Sequence, residues 1–262
     1  MAFESLRIEH DGGLCRLTLT DAARGNPIDG RFCAEFKEAA IQISQTPGVR
    51  AILLQAEGKA FSFGGDISSF TSQIDQLPLL IKRWGADLNS ALIQFQRLDV
   101  PMVAAVHGVC AGGMVGVVAG ADIVIAAEEA RFVAAYAGIG YCCDAGVSVT
   151  VGRRMGLGRT RRYLLLNETL SSAEALGGGL VDFVVPADAL VAKAEEIVGR
   201  LAQGPTLAFG EMRRLMLSAS DQPLETQLEL EVQGLARMAA TADAREGITA
   251  FAEKRKPIFS GR

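Results

Sequence analysis

The sequence has very little histidine, which excludes several common enzyme chemistries. It holds only His10 and His107, and neither lies at metal-ligand spacing from another histidine, cysteine or carboxylate. Neither has a nucleophile close by in the sequence, and no Gly-x-Ser-x-Gly elbow is present. We therefore expect no bound metal and no serine–histidine hydrolase.

The sequence also lacks an excess of positive charge and a long hydrophobic run. Lysine and arginine number 26 against 30 for aspartate and glutamate, and the formal net charge is −4. Such a balance does not favour a phosphate backbone, so nucleic acid is not expected as a partner. No apolar stretch is long enough for a bilayer, and the opening MAFESLRIEH has no apolar h-region. We expect a soluble, cytoplasmic protein that contacts no membrane.

The five cysteines form no pattern typical of a disulfide framework or a metal site. Their number is odd and most lie in apolar runs, which is typical of reduced, buried thiols. Cys142 and Cys143 are adjacent, but neighbouring Cα atoms lie about 3.8 Å apart, whereas ordinary disulfides need about 4.4–6.8 Å. We predict that both are small core residues. The other three are Cys15, Cys33 and Cys110.

What the sequence does contain is an alternation of short buried strands and helical segments. Two β-rich runs separated by Asp-Gly-Gly predict an opening hairpin, and segment 30–45 has the apolar spacing of a helix. Later strand patterns alternate with helical or glycine-rich segments, which is typical of βα units with buried strands. We predict an α/β core over 1–186 and a helical region over 187–262. The long apolar helix faces of that region need a partner, either the same core or another subunit.

Two turns contain paired glycines, FSFGGDI at 61–67 and GVCAGGMVG at 108–116. Consecutive glycines let a backbone approach another group closely. Neither turn has the glycine spacing of a nucleotide-binding loop. Two interpretations stay open: the segments are simply tight turns, or their N–H groups form the two halves of an oxyanion hole.

Five segments, in this order, resemble the landmarks of the enoyl-CoA hydratase/isomerase (crotonase) superfamily over nearly the whole chain. They are KAFSFGGDI, VHGVCAGGMVGVVAGADIVIA, ARFVAAYAGIGYCCDAG, LGGGLVDFVVP and EKRKPIF. The resemblance implies an α/β fold of crotonase type, a spiral of ββα units with a C-terminal helical trimerisation region. It also implies an acyl-CoA thioester substrate and a homotrimer or dimer of trimers. Coenzyme A would then be part of the substrate, with no permanently bound cofactor.

The resemblance also assigns roles to residues. It places an oxyanion hole at the backbone N–H groups of Gly65 and Gly113. The implied acyl-CoA pocket is lined by three segments and two further residues, and Lys254 lies near its coenzyme A end. The segments contribute Arg24, Asn26 and Pro27, then Gly64, Gly65, Asp66, Ile67 and Ser68, then Gly112 and Gly113. The two further residues are Gly116 and Tyr136. From the residues alone, Asp66 is equally suited to cap the helix that follows it. Aromatic residues shape either the acyl pocket or the core: Phe61, Phe63, Phe70, Trp84 and Tyr136.

Two positions that distinguish the family's reactions depart from the hydratase pattern. Hydratases of the superfamily position a water with two glutamates, and the matching positions here hold Gly116 and Tyr136. Losing a positioned acid or base typically costs about 10²–10⁴-fold in rate, so efficient hydration is disfavoured. Asp144 resembles the acidic catalytic residue of enoyl-CoA, dienoyl-CoA and ring-epoxide isomerases. The same position holds the nucleophile of 4-chlorobenzoyl-CoA dehalogenases, whose assisting tryptophan and histidine are replaced here by Tyr136 and Ile93.

The functional prediction therefore depends on the role of Asp144. If Asp144 is not catalytic, it is suited to cap a helix that begins in AGVSVTVGRRMG. As a catalytic base it would take a proton from the acyl chain, leave a dienolate held by Gly65 and Gly113, and return the proton two carbons away. We predict an enoyl-CoA isomerase. The alternatives are an enoyl-CoA hydratase or an Asp-nucleophile dehalogenase or hydrolase on an acyl-CoA, and third a catalytically silent oligomeric binding protein.

Overall fold

A six-stranded sheet lies at the centre of the computed structural model, which describes residues 3–262. Its strand order is β1-β2-β3-β4-β6-β9, antiparallel between β1 and β2 and parallel elsewhere. A second sheet has three strands in the order β5-β7-β8. The strands are β1 (Leu6–Asp11), β2 (Leu14–Leu19), β3 (Ala51–Ala56), β4 (Met102–Val106), β5 (Val109–Ala111), β6 (Ile123–Ala127), β7 (Arg131–Val133), β8 (Thr169–Ser171) and β9 (Phe183–Val185).

The first two strands form the hairpin that the sequence predicts. Gly12 and Gly13 connect them with φ angles of 54° and 97°. A two-residue loop with positive φ at both positions matches the twist of paired strands, and glycine adopts it without steric cost. β1 is thereby the edge strand of the large sheet, paired only with β2.

Successive passes of the chain contribute a strand to each sheet. β4 of the large sheet continues through His107 and Gly108 into β5 of the small sheet, and β6 is followed by β7 in the same way. Helices connect these strand pairs, so the chain winds in repeated ββα units. The predicted α/β class is confirmed.

Helices cover both sheets and form the C-terminal part of the chain. No helix in residues 3–262 has the length and hydrophobicity that crossing a membrane requires. The helices are α1 (Gly30–Gln45), α2 (Ile67–Ser72), α3 (Leu77–Arg97), α4 (Gly113–Ala119), α5 (Val147–Met155), α6 (Leu157–Leu165), α7 (Ser172–Gly178), α8 (Leu190–Ala202), α9 (Thr206–Ser218), α10 (Leu224–Ala239) and α11 (Ala242–Ala252).

α1 and α3 show where sequence patterns predict helix bounds and where they do not. α1 has the predicted bounds, and Asp29 caps it by accepting a hydrogen bond from the Phe32 N–H at 2.9 Å. α3 starts at Leu77, well before the clear apolar spacing of Leu88, Leu92 and Phe95 in the sequence. Its N-terminal half buries few side chains in the core and instead faces a cavity, so its apolar periodicity is incomplete.

Side chains of the large sheet pack against helices on both faces. On β3, Ile52 and Leu54 belong to the main core with α1 and α3. Leu53 points to the other face, where Ile197 and Val198 of α8 cover it. The predicted division between 186 and 187 thus marks where the strands end, while the core continues into α8.

The last three helices leave many apolar side chains uncovered on the single chain. On α10, Leu224 and Leu235 are 72% and 74% exposed, and Phe251 on α11 is 87% exposed. The predicted C-terminal helices are therefore present, and their apolar faces lie on the surface of the chain.

A buried arginine fixes the first of these helices to the core. Arg213 of α9 contacts Asp122 through Nε at 2.8 Å, and it donates to the backbone carbonyls of Phe95 and Leu98 at the end of α3. Asp122 also accepts from the Met102 N–H at 2.7 Å, at the start of β4. One guanidinium therefore joins α9, α3 and the central sheet.

Arg213→Ala should destabilise the fold far more than loss of a surface arginine. It leaves Asp122 without its cationic partner and two carbonyls without this donor. The free energy of unfolding should fall by about 3 kcal/mol, a figure kept moderate because Asp122 has some exposure. Arg7→Ala, in a half-exposed pair with Glu9, should cost about 1 kcal/mol or less. Urea unfolding of both variants measures the difference, and equal losses would contradict the role given to Arg213.

Candidate active site

A cavity of about 970 Å³ opens between α2, α3, the two glycine turns and residues 135–148. Its walls are mostly apolar, and aromatic rings form much of one side. The Phe70 ring stacks between those of Trp84 and Tyr141, with centroid distances of 6.2 and 6.0 Å. A cavity of this size and polarity is suited to a small organic ligand with a large apolar part.

The two glycine turns lie side by side at this cavity. Ser62 forms a parallel bridge with Cys110, and its N–H and carbonyl bond Val109 and Ala111 at 2.9 and 3.0 Å. Gly64 has φ of +80°, and a Cβ there would lie 2.8 Å from the Ala111 carbonyl oxygen. Glycine at this position is therefore required both by the backbone angle and by the close approach of the second turn.

In each turn, one glycine at the cavity has an N–H group without a hydrogen-bond partner in residues 3–262. The neighbouring N–H groups are paired: Gly64 donates to Ser62 Oγ at 3.0 Å, and Gly112 to the Val133 carbonyl at 2.9 Å. Gly65 and Gly113 donate to no described residue. Gly113 is the first residue of α4, where N–H groups have no partner inside the helix. Both glycines line the cavity.

The Asp144 carboxylate lies beside the second turn. A Cβ on Gly113 would be 3.0 Å from Asp144 Oδ1, so glycine at 113 makes the close approach possible. α5 has Gly146 as its N-cap residue and no side-chain capping bond. The Asp144 side chain therefore does not cap α5, which was its structural alternative.

Tyr136 supplies the one side-chain hydrogen bond that Asp144 makes in residues 3–262. Its hydroxyl donates to Asp144 Oδ1 at 2.8 Å. Burial, followed by the negative charge of Asp144, raises the pKa of the Tyr136 phenol above its ordinary value. The phenol is therefore protonated and serves as a donor.

Asp144 is the only carboxylate among the described residues that line the cavity, and that lining contains no lysine, arginine or histidine. The thiol of Cys33 also lines it, but burial raises the pKa of this thiol to about 12, so it is not a thiolate at neutral pH. Two unpaired N–H groups and one carboxylate can stabilise a developing oxyanion and transfer a proton beside it.

The position of the first hydratase glutamate has no room for a side chain. Gly116 lies inside α4 and outside the cavity lining, although a binding role was predicted for it. A Cβ there would overlap the Ala145 carbonyl oxygen and lie 2.7 Å from Val147 Cγ2. The close packing of α4 against α5 fills this space.

Arg24 and Asp66 are engaged with other protein groups. Arg24 contacts three carboxylates, Asp21, Asp29 and Asp66, at 2.9, 2.8 and 2.6 Å. Asp66 also accepts from the Ser68 N–H at 3.1 Å and so caps α2, the alternative that its sequence position left open. Neither side chain lines the cavity.

The other predicted pocket residues divide into two groups. Asn26 is buried, and its amide donates to the Glu57, Ala60 and Phe61 carbonyls, which holds the loop before the first glycine turn. Outside the cavity lining lie Asn26, Pro27, Gly64, Ser68 and Lys254, the last exposed just after α11; within it lie Gly65, Ile67, Gly112, Gly113, Tyr136 and Asp144. Of the five aromatic candidates, four line the cavity and Phe61 is a core residue.

The prediction that Cys142 and Cys143 are core residues is wrong, and the sequence analysis did not identify two asparagines of the cavity. Cys142 is exposed and Cys143 is half-buried, and both line the cavity, so they are not core residues as expected. The loop from 140 to 146 brings them to the cavity wall. Asn89 and Asn167 also line the cavity, and no local sequence signal marks either one.

The fold and this cavity define an acyl-CoA enzyme of the crotonase type, and comparison with known proteins identifies the family. Residues 9–262 match the model of the enoyl-CoA hydratase/isomerase family, and the chain belongs to that family. The predicted crotonase-type fold is confirmed by a crystal structure described as an enoyl-CoA hydratase/isomerase from Mycobacterium abscessus. It matches with a TM-score of 0.93 and 31% identity, over 98% of this chain and 100% of that one.

Relatives with different reaction names are similarly related to the chain. It is 32% identical to 1,2-epoxyphenylacetyl-CoA isomerase of Escherichia coli K12, over 95% of this chain and 96% of that protein. It is 31% identical to a protein of Rhodobacter capsulatus named as a probable enoyl-CoA hydratase, over 100% of both. Identity to relatives therefore does not distinguish isomerase from hydratase.

Gly116→Ala should show whether the space at this position is filled. The added methyl overlaps backbone, so the free energy of unfolding should fall by about 1–3 kcal/mol. Gly199→Ala is the matched control, because no atom lies within 4 Å of a Cβ at this α8 position and alanine favours a helix by up to about 1 kcal/mol. Urea unfolding compares them, and an unchanged or increased stability of Gly116→Ala would contradict the packing described here.

Proposed function

We propose that the protein shifts a carbon–carbon double bond in an enoyl-CoA, with Asp144 as the proton carrier and the N–H groups of Gly65 and Gly113 as oxyanion donors. One observation carries the proposal. Asp144 is the only carboxylate in the described cavity lining, and it lies against Gly113, whose N–H has no described hydrogen-bond partner.

The reaction needs one base and one site for negative charge. An Asp144 carboxylate oxygen takes a proton from C2 of a 3-enoyl thioester, and the electron pair of the C–H bond moves into the conjugated system. The negative charge develops on the thioester oxygen, where the two N–H groups donate to it. The same carboxyl group returns the proton to C4, which leaves a 2-enoyl-CoA and the original carboxylate.

Hydration is the less suitable reaction for this cavity. It requires a group that orients and deprotonates a water, in addition to a group that protonates the enolate. The space of the first hydratase glutamate is filled at Gly116, and the phenol of Tyr136 is a donor with a raised pKa rather than a base. The name of the Escherichia coli relative, an isomerase, is in line with this preference.

The cavity walls favour an uncharged, apolar acyl group. Its described lining offers aromatic and aliphatic side chains but no cation that would pair with a second carboxylate on the acyl group. Coenzyme A enters as part of the thioester.

The exposed apolar side chains of α9–α11 are suited to contacts between copies of the chain, and we propose a homotrimer or a dimer of trimers.

Asp144→Asn should abolish most of the isomerisation with little change in fold, because the amide has the same shape but cannot take the proton. The expected fall in kcat is about 10²–10⁴-fold. Purified protein is incubated with 3-enoyl-CoA in deuterated water, and mass spectrometry follows both 2-enoyl-CoA and deuterium uptake.

Asp221→Asn, at an exposed side chain, is the control and should retain wild-type turnover. The proposal fails if Asp144→Asn still isomerises at the wild-type rate. It also fails if the wild type forms 3-hydroxyacyl-CoA from 2-enoyl-CoA at a comparable rate that Asp144→Asn does not change. Chloride release from 4-chlorobenzoyl-CoA, lost in the variant, would instead favour displacement by Asp144.

A further inference from the structure

We propose that Tyr136 is a positioning residue that fixes the Asp144 carboxylate and commits its Oδ1 to a hydrogen bond, so that Oδ2 is the oxygen that carries the proton. The inference rests on the proposed function for its catalytic consequence. Its structural part, the fixed orientation of Asp144, is independent of which reaction takes place.

Hydrogen bonds to both the N–H and the carbonyl of Tyr136 fix its backbone. Its N–H donates at 3.0 Å to Oδ1 of Asn167, a cavity-lining residue in the segment that follows α6. Its carbonyl accepts from the N–H groups of Ile139 and Tyr141, both at 3.1 Å. With 8% of its surface exposed, the residue has a fixed backbone and a packed ring that direct the hydroxyl at one point.

Asp144, in contrast, lies on a segment that fixes its side chain poorly. The segment runs from Gly140 to Gly146, and both glycines and Ala145 have positive φ. The Asp144 carbonyl accepts from the Val147 N–H at 2.9 Å, which anchors the backbone only. In residues 3–262 the carboxylate has the Tyr136 hydroxyl as its one hydrogen-bond partner. The orientation of the carboxylate therefore depends on this contact.

The two oxygens of Asp144 consequently have different roles. Oδ1 accepts from the phenol and lies next to Gly113. Oδ2 has no hydrogen-bond partner in the described residues. A base that is held within a fraction of an ångström of its target is worth much more than one that rotates, since small misplacements cost up to about 10²-fold in rate.

Tyr136→Phe removes the hydroxyl donor but keeps the aromatic ring. It therefore tests whether Tyr136 positions Asp144 without leaving a gap in the cavity wall. We expect kcat for isomerisation of 3-enoyl-CoA to fall by up to about 10²-fold, with KM changed by less than about twofold. Loss of the hydrogen bond should therefore appear in kcat rather than in KM.

Tyr163→Phe is the matched control. Tyr163 is also buried and lies outside the cavity lining, and its hydroxyl has no hydrogen-bond partner in the described part of the chain. It should leave kcat and KM unchanged. The proposal is overturned if Tyr136→Phe keeps the wild-type kcat. It is also overturned if the variant changes KM alone, because Tyr136 would then contact the acyl group instead.

Crystal structures of the wild type and Tyr136→Phe provide a readout that needs no turnover. We expect one Asp144 side-chain orientation in the wild type and a rotated or multiple orientation in the variant. The same single orientation in both would overturn the inference. If the wild type fails to isomerise any enoyl-CoA, the proposed function fails, and the crystal structures still decide the positioning role.

Discussion

The site depends on the close approach of two backbone turns, which side chains would prevent. A Cβ on Gly64 would press against the Ala111 carbonyl oxygen at 2.8 Å, and one on Gly108 would overlap the Lys59 carbonyl oxygen. With glycine at these positions, the segment after β3 pairs with β5 through Ser62 and Cys110. The bridge pairs neighbouring N–H groups but leaves those of Gly65 and Gly113 at the cavity. Backbone geometry, rather than any charged side chain, supplies the hydrogen-bond donors on which the proposed oxyanion site rests.

The Asp144 carboxylate lies beside these donors and is the only carboxylate in the described cavity lining. Close packing explains part of this. α4 and α5 lie so close that Gly116 has no space for a side chain. At the position that resembles the second hydratase glutamate, Tyr136 has a protonated phenol. The cavity therefore has two glycine N–H groups without a described partner but only one carboxylate in its described lining. Close helix packing can in this way limit which side chains reach a cavity without altering its backbone N–H groups.

Local patterns predicted the parts of the structure that depend on local forces. The β1–β2 hairpin and both glycine turns follow from glycine pairs, and α1 follows from apolar spacing. Features decided by distant contacts were not predictable in this way: α8 completes the core beyond 186, and Asn167 reaches Tyr136 from 31 positions away. Cys142 was misassigned because adjacent apolar residues suggest burial, whereas the loop that carries it lines a cavity. The resemblance identified Asp144, but only the structure gave its contact with Tyr136.

A crystal structure with a bound, unreactive saturated acyl-CoA would show how the two glycine turns and Asp144 meet the thioester. We expect the thioester oxygen within about 2.7–3.2 Å of both the Gly65 and Gly113 nitrogens. We also expect C2 of the acyl chain to face Asp144 Oδ2, with the acyl group against Phe70 and Trp84. A thioester oxygen bound away from these two N–H groups, or C2 out of reach of the Asp144 carboxylate, would contradict this arrangement.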